Sequence, residues 1–130
     1  MKNILLVDDD KSVLHYLGLV LKRDDYNIDC CLDPVDALTL LQEKQYHLLI
    51  SDYVMNDVNG VHLLDFARQI QPACVRILLT GNNSVDMLKH AINNANIFKY
   101  IEKPLDPKQL LLDVEQSLEQ QKILERAYSE

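Results

Sequence analysis

Short apolar runs alternate with helix-periodic stripes along this chain, and that alternation leaves few folds open. Ile4-Leu5-Leu6-Val7, Leu48-Leu49-Ile50, Ile77-Leu78-Leu79 and Tyr100-Ile101 are nearly continuous in apolar residues, as strands covered on both faces should be. Asn27 to Leu32 alternates instead, with Ile28, Cys30 and Leu32 on one side and Asn27, Asp29 and Cys31 on the other, which suits an edge strand. Between these runs, Val13, Leu14, Leu17, Val20 and Leu21 form a first helical stripe. Asp33-Pro34 is an N-cap followed by proline at the first helical position, with Ala37, Leu38 and Leu41 on one face beyond it. Leu63, Leu64, Ala67 and Ile70 make a third stripe, and Val85, Leu88, Ile92 and Ala95 a fourth. The last stripe opens at Asp106-Pro107 and carries Leu110, Leu111, Val114 and Leu118. Strictly alternating βα units predict an α/β fold: a five-stranded parallel sheet, doubly wound with five helices through right-handed crossovers.

At 130 residues, 48% of them hydrophobic, the chain is large enough for one domain with a buried core. Met1-Lys2-Asn3 leads straight into a four-residue apolar run, too short for a signal-peptide core, and no stretch is long enough to span a membrane. The 3 cysteines are an odd number and Cys30-Cys31 are adjacent, so a reducing cytoplasmic setting is expected rather than a disulfide framework. A net charge of -7 argues against direct nucleic-acid binding, which needs a basic footprint.

The chemistry lies where the runs stop. The first ends at Asp8-Asp9-Asp10, the second passes through Ser51 to Asp52, the third ends at Thr80, and the fourth passes through Glu102 to Lys103-Pro104. In a parallel sheet all four ends share the carboxyl edge, where open α/β sheets bind ligands. Three carboxylates gathered there repel one another by about 4 kcal/mol per pair at 4 Å and an effective dielectric of about 20. A cation or raised pKa values must relieve that repulsion. An all-oxygen, partly hydrated site suits Mg²⁺, and phosphoryl chemistry at such an edge should require the ion.

These residues resemble bacterial response-regulator receiver domains over residues 2 to 118. The matching pieces are Leu6-Val7-Asp8-Asp9, Ser51-Asp52 followed by Met55 and Gly60, Leu79-Thr80-Gly81, and Tyr100-Ile101-Glu102-Lys103-Pro104. The resemblance implies a flavodoxin-like sheet of order 2-1-3-4-5. It implies that Asp52 is the nucleophile accepting a phosphoryl group from a sensor histidine kinase. Asp9 and Asp52 would ligate Mg²⁺ directly, with the Tyr53 backbone carbonyl as a third ligand and Asp8 acting through water. Thr80 and Lys103 would bind phosphoryl oxygens, Thr80 and Tyr100 would form the switch, and the Lys103-Pro104 bond would be cis. The output surface would be the fourth helix, fifth strand and last helix. The sequence departs from the family at Met55-Asn56, where Met-Pro is usual, and at Asn94-Ala95, where Gly-Ala is usual. Asn tolerates the left-handed backbone, so that second turn should survive. Val54 and Asn82 stand where family members tune water attack on the phosphoryl group.

Plainer readings exist for each piece. Asp10 reads as a cap of the first helix, His15, His47, His62 and His90 as surface residues, and Cys74 as a small core residue. Asp8-x-Asp10 also resembles the opening of haloacid-dehalogenase-type phosphohydrolases. That family expects Thr or Val where Ser12 stands, together with a late acidic pair and a longer chain. A third reading is a degenerate receiver acting as an interaction module, although none of its site residues is missing. Residues 119–130 are expected to extend the last helix towards an output domain or a second copy. Ile123, Leu124 and Ala127 form a short apolar patch, which a rise of 1.5 Å per residue should carry beyond reach of the core.

Overall fold

In the computed structural model, which describes residues 1–53, 60–81 and 96–129, five strands form a single parallel sheet. They are β1 (Lys2–Val7), β2 (Tyr26–Cys31), β3 (Leu48–Asp52), β4 (Val75–Thr80) and β5 (Lys99–Glu102), in the order β2-β1-β3-β4-β5. The described residues contain four helices rather than the expected five: α1 (Lys11–Val20), α2 (Pro34–Glu43), α3 (Gly60–Ile70) and α4 (Pro107–Tyr128). The stripe of Val85, Leu88, Ile92 and Ala95 lies outside the described residues.

Three helix starts are set by aspartates whose carboxylates accept otherwise orphaned backbone N–H groups. Asp10 accepts from Ser12 at 2.9 Å, Asp33 from Val35 at 2.9 Å, and Asp106 from Gln109 at 3.3 Å. Proline follows Asp33 and Asp106 within the first turn, where its missing N–H is harmless. Before β5, Asn96 has φ 48°, the left-handed conformation that asparagine tolerates, whereas Asn94 and Ala95 lie outside the described residues.

Alternate strand residues feed two cores, one on each face of the sheet. Leu5, Val7, Leu49 and Leu78 pack with α2 and α3 through Ala37, Leu41, Leu63, Leu64 and Ala67. Ile4, Leu6, Leu48, Ile50, Ile77 and Leu79 pack with α1 and α4 through Leu14, Leu17, Leu110, Val114 and Leu118. This two-sided cover explains a correction at the edge strand. In β2, Cys31 is buried against α2 while Cys30 and Leu32 are exposed, although Cys30 and Leu32 shared the apolar side of the alternation. Ile28 and Cys31 face opposite layers, so the period of two sorts residues between layers rather than between core and water. Leu111, read as part of the last helical stripe, is 37% exposed.

Two polar devices tie the amino edge of the sheet together. Gln71 accepts the Tyr46 N–H at 2.8 Å and donates to the carbonyls of Leu41 and Lys44, stapling the end of α3 to the turn before β3. The Asp29 carboxylate on β2 accepts from the Tyr46 hydroxyl at 2.7 Å and from Lys44 at 2.9 Å. Burial pushes the Asp29 carboxyl up, but these two hydrogen bonds outweigh it and hold the group below its ordinary 3.8. Tyr46→Phe should therefore destabilise the protein by about 1.5 kcal/mol in urea titrations at pH 7. The contribution of a carboxylate held low is present above 3.8 and lost as pH falls through the folded value. The gap between the two proteins should accordingly shrink in acid, and a gap constant with pH would assign the Tyr46 effect to packing.

The end of α4 corrects a second expectation. Its buried stripe does not stop at Leu118: Gln121 is buried and Leu124 packs against the core shared with Leu118, Val75 and Ile4. The helix lies across the sheet, and the turns at 45–47, 70–74 and 96–98 extend the body beneath it. Ile123, on the other side of the helix, is 59% exposed.

Candidate functional site

Register brings the four strand ends into one place. Val7 lies beside Ser51, so Asp8 and Asp52 leave adjacent strands together; Asp52 lies beside Leu79, and Thr80 beside Glu102. One carboxylate oxygen from each of Asp8, Asp9 and Asp52 falls within 4.8 Å of the others. Asp8 is wholly buried and Asp9 exposed, so the cluster opens to water on one side only.

Lys103 crosses this acidic site from the end of β5. Its ammonium lies 3.0 Å from Asp8 Oδ2 and 3.3 Å from Asp52 Oδ1. The second Asp8 oxygen accepts the Asp10 backbone N–H at 2.9 Å. Burial raises the Asp52 carboxyl above 3.8, and the Asp8 charge adds to the rise against the opposing pull of Lys103. Burial alone would lower the Lys103 ammonium; hydrogen bonding to Asp8 and the charges of Asp52 and Asp8 outweigh that and raise it. Three carboxylates and one ammonium leave two negative charges, which a divalent cation would cancel. The donor set is all oxygen, rich in carboxylate and exposed at Asp9, and it fits a hard ion such as Mg²⁺.

Gly60 shapes the floor of the site. Its N–H donates to the Tyr53 carbonyl at 2.8 Å, and the Tyr53 N–H donates to Leu79 O at 2.8 Å and Asp52 Oδ1 at 3.0 Å. A Cβ on Gly60 would stand 2.0 Å from the Asp52 carbonyl oxygen, so only glycine lets α3 begin this close to the end of β3. Thr80 is buried, its carbonyl accepting the Lys103 N–H at 2.9 Å. The Lys103-Pro104 peptide is cis. Tyr100 is 44% exposed on β5, away from the acidic cluster.

Comparison with known proteins identifies the family. Residues 4–115 match the family model of the response regulator receiver domain. The chain belongs to that family. A similar solved structure is the signal receiver domain of an HD domain-containing protein from Pseudomonas fluorescens Pf-5. The two are 36% identical with a TM-score of 0.89, covering 93% of this chain and 97% of that one. The beryllofluoride-activated NtrC4 receiver domain dimer is 30% identical with a TM-score of 0.86, over 93% of this chain and 99% of that one. Among curated relatives, the transcriptional regulatory protein GlrR of Escherichia coli (strain K12) is 30% identical over 118 residues, 91% of this receiver. That match takes in 26% of the relative, so this chain spans about a quarter of its length. Receivers are signalling domains of two-component systems; a phosphoacceptor role and Mg²⁺ binding at an acidic pocket are general to them.

Other expectations divide. Asp10 caps α1 and Cys74 is a buried core residue. His15 and His62 are exposed, but His47 is half-buried, its Nδ1 accepting the Asn3 N–H at 2.9 Å. Val54, Met55, Asn56, Asn82 and His90 lie outside the described residues. Among the described residues no helix is long and apolar enough to cross a membrane.

Proposed function

We propose that Asp52 is the phosphoacceptor of a two-component pathway, taking a phosphoryl group from the phosphohistidine of a sensor histidine kinase. One observation carries the proposal: Lys103 bridges Asp8 and Asp52 at 3.0 and 3.3 Å beside the exposed Asp9. A buried carboxylate beside a cation, and open to water on one side, can meet an incoming phosphoryl group. An Asp52 oxygen attacks phosphorus as the P–N bond breaks, and the bonding pair returns to the imidazole. Lys103 favours the ionised form that a nucleophile needs and offers N–H donors to a phosphoryl oxygen. Asp8, Asp9, Asp52 and the Tyr53 carbonyl would hold Mg²⁺, which would supply the neutralising charge for the approach of a polyanion. Gly60 orients that carbonyl through its N–H.

Phosphorylation adds about −1.5 to −2 charge at Asp52. Thr80 is then drawn toward the phosphoryl group, and Tyr100 turns in from its exposed position, changing the surface of β5 and α4. A charge-assisted hydrogen bond contributes roughly 1.5–3 kcal/mol, whereas moving a two-state equilibrium from 1:99 to 99:1 takes about 5.5 kcal/mol. Thr80 therefore shares the switch with Lys103 and with the partner that reads the new surface. That partner is an output domain following α4 or a second copy of the chain. The test is phosphoryl uptake from acetyl phosphate with Mg²⁺. One acid-stable, base-labile group per chain, mapped to Asp52 after borohydride reduction and abolished by chelation, is expected. A label on any other residue would overturn the assignment.

A further inference from the structure

The far end of β4 carries a charge that the phosphoacceptor reading does not use. All six residues of β4 are buried, and five of them are uncharged; the sixth is Arg76, 4% exposed. Its guanidinium donates to two backbone carbonyls, Cys74 at 2.8 Å and Asn96 at 3.3 Å, and its Nε has no partner. Among the described residues no carboxylate forms an ion pair with it. An arginine stays charged in any protein setting, and a buried charge without a counter-charge is strongly disfavoured. Arg76 borders a cavity of about 280 Å³, at the edge of the sheet opposite Asp52.

The other polar groups of that cavity come from three further parts of the fold. Arg68 of α3, Gln120 and Tyr128 of α4, and Asn96 of the turn before β5 also line it. Among the described residues no carboxylate lines it. Asp65, the carboxylate paired with Arg68, accepts from Arg68 at 2.8 Å and from Gln69 at 3.1 Å. Two guanidiniums and one shared carboxylate leave a net positive hole in a chain of net charge -7. We propose that this cavity binds a small oxyanion, a phosphate or carboxylate group, between Arg76, Arg68 and the end of α4. Guanidinium forks match both classes of anion. Because α4 forms one wall, occupancy and docking of residues 119–128 stabilise each other.

The full chain, kept in chelator at constant ionic strength, is titrated with sodium phosphate, acetate or chloride while melting is followed by circular dichroism. Phosphate should raise Tm over chloride with the logarithm of its concentration once above its dissociation constant, by roughly 5 °C at ten times that constant. A logarithmic rise with acetate as well assigns the site to carboxylates; a rise with phosphate alone assigns it to phosphorylated species. Arg68→Gln, at a half-exposed position that leaves the Arg76 carbonyl contacts in place, should weaken phosphate binding about tenfold, moving the onset of the rise to tenfold higher concentration. Asp65→Asn, which removes the competing carboxylate, should tighten it. Phosphate bound at Lys103, or acting on the solvent generally, would raise Tm equally in wild type and Arg68→Gln, and that equality would overturn the proposal.

Discussion

Asp52→Asn should end phosphoryl uptake altogether and at the same time make the magnesium-free protein more stable. Loss of uptake follows from removing the nucleophilic oxygen, since an amide cannot take its place. The gain in stability follows from the state of Asp52 in the fold, where burial and the Asp8 charge raise its carboxyl above 3.8. The sign is opposite to that of a salt-bridged surface acid. A carboxylate that is harder to ionise when folded leaves stability intact below the unfolded value and withdraws it as pH rises through the folded one. In chelator, wild type should therefore lose stability relative to Asp52→Asn as pH rises above 3.8, and the variant should melt higher at pH 7. Each kcal/mol corresponds to roughly 3–6 °C in a domain of this size. Magnesium should narrow the difference, because it binds the wild-type cluster of Asp8, Asp9 and Asp52 better than one lacking a carboxylate. Calorimetric scans from pH 4 to 8, with and without Mg²⁺, measure all of this. A variant that melts lower than wild type in chelator would show that Lys103 more than offsets the repulsion.

The residues of the carboxyl edge were legible because each stands directly after a short apolar run or one residue beyond it, and parallel pairing carries every such end to the same side. Asp8, Asp52, Thr80 and Lys103 are met in sequence as run terminators and in space as neighbours for the same reason. Lys103 as a bridge between Asp8 and Asp52 was less legible: its role as a standing counter-ion depends on how far Asp8 is buried, which no spacing reveals. Gly60 is similar. Its need to be glycine comes from a backbone oxygen at position 52, on a different element.

The misreadings have physical causes too. Alternation over 27–32 suits an edge strand with Ile28, Cys30 and Leu32 on its apolar side, yet β2 is covered on both sides, so Cys31 packs beneath α2 while Cys30 is exposed. Arg76 directly precedes the apolar run Ile77-Leu78-Leu79 and carries no periodic signal of its own. In the fold it is inside the strand, with its guanidinium turned to carbonyls of the chain. Gln71 drew no notice because its three partners lie 25 to 30 residues away in sequence. Polar side chains that staple distant turns leave no periodic trace.

Deleting residues 119–130 should weaken the fold, contrary to what helix length alone suggests. Distance along the helix was the wrong measure, because α4 runs over the amino edge of the sheet rather than away from it. Leu118, Gln121 and Leu124 continue the stripe of Leu110 and Val114, and Leu124 packs against the core that holds Ile4, Leu48 and Val75. Removing Leu124 and the stem of Gln121 uncovers apolar surface on the order of one leucine side chain, about 2 kcal/mol. Tm should then fall by roughly 6–10 °C, while phosphoryl uptake at Asp52, at the other edge of the sheet, persists in the folded fraction. Two point variants separate packing from self-association. Leu124→Ser should reproduce most of the loss; Ile123→Ser, at a position 59% exposed on the outer side of the helix, should leave Tm within about 1 °C and affect only assembly. Sedimentation of each variant with and without beryllofluoride reads the assembly. If the truncated chain melts with wild type, Leu124 contributes nothing to the core, and residues 119–128 serve the next domain or a second copy alone.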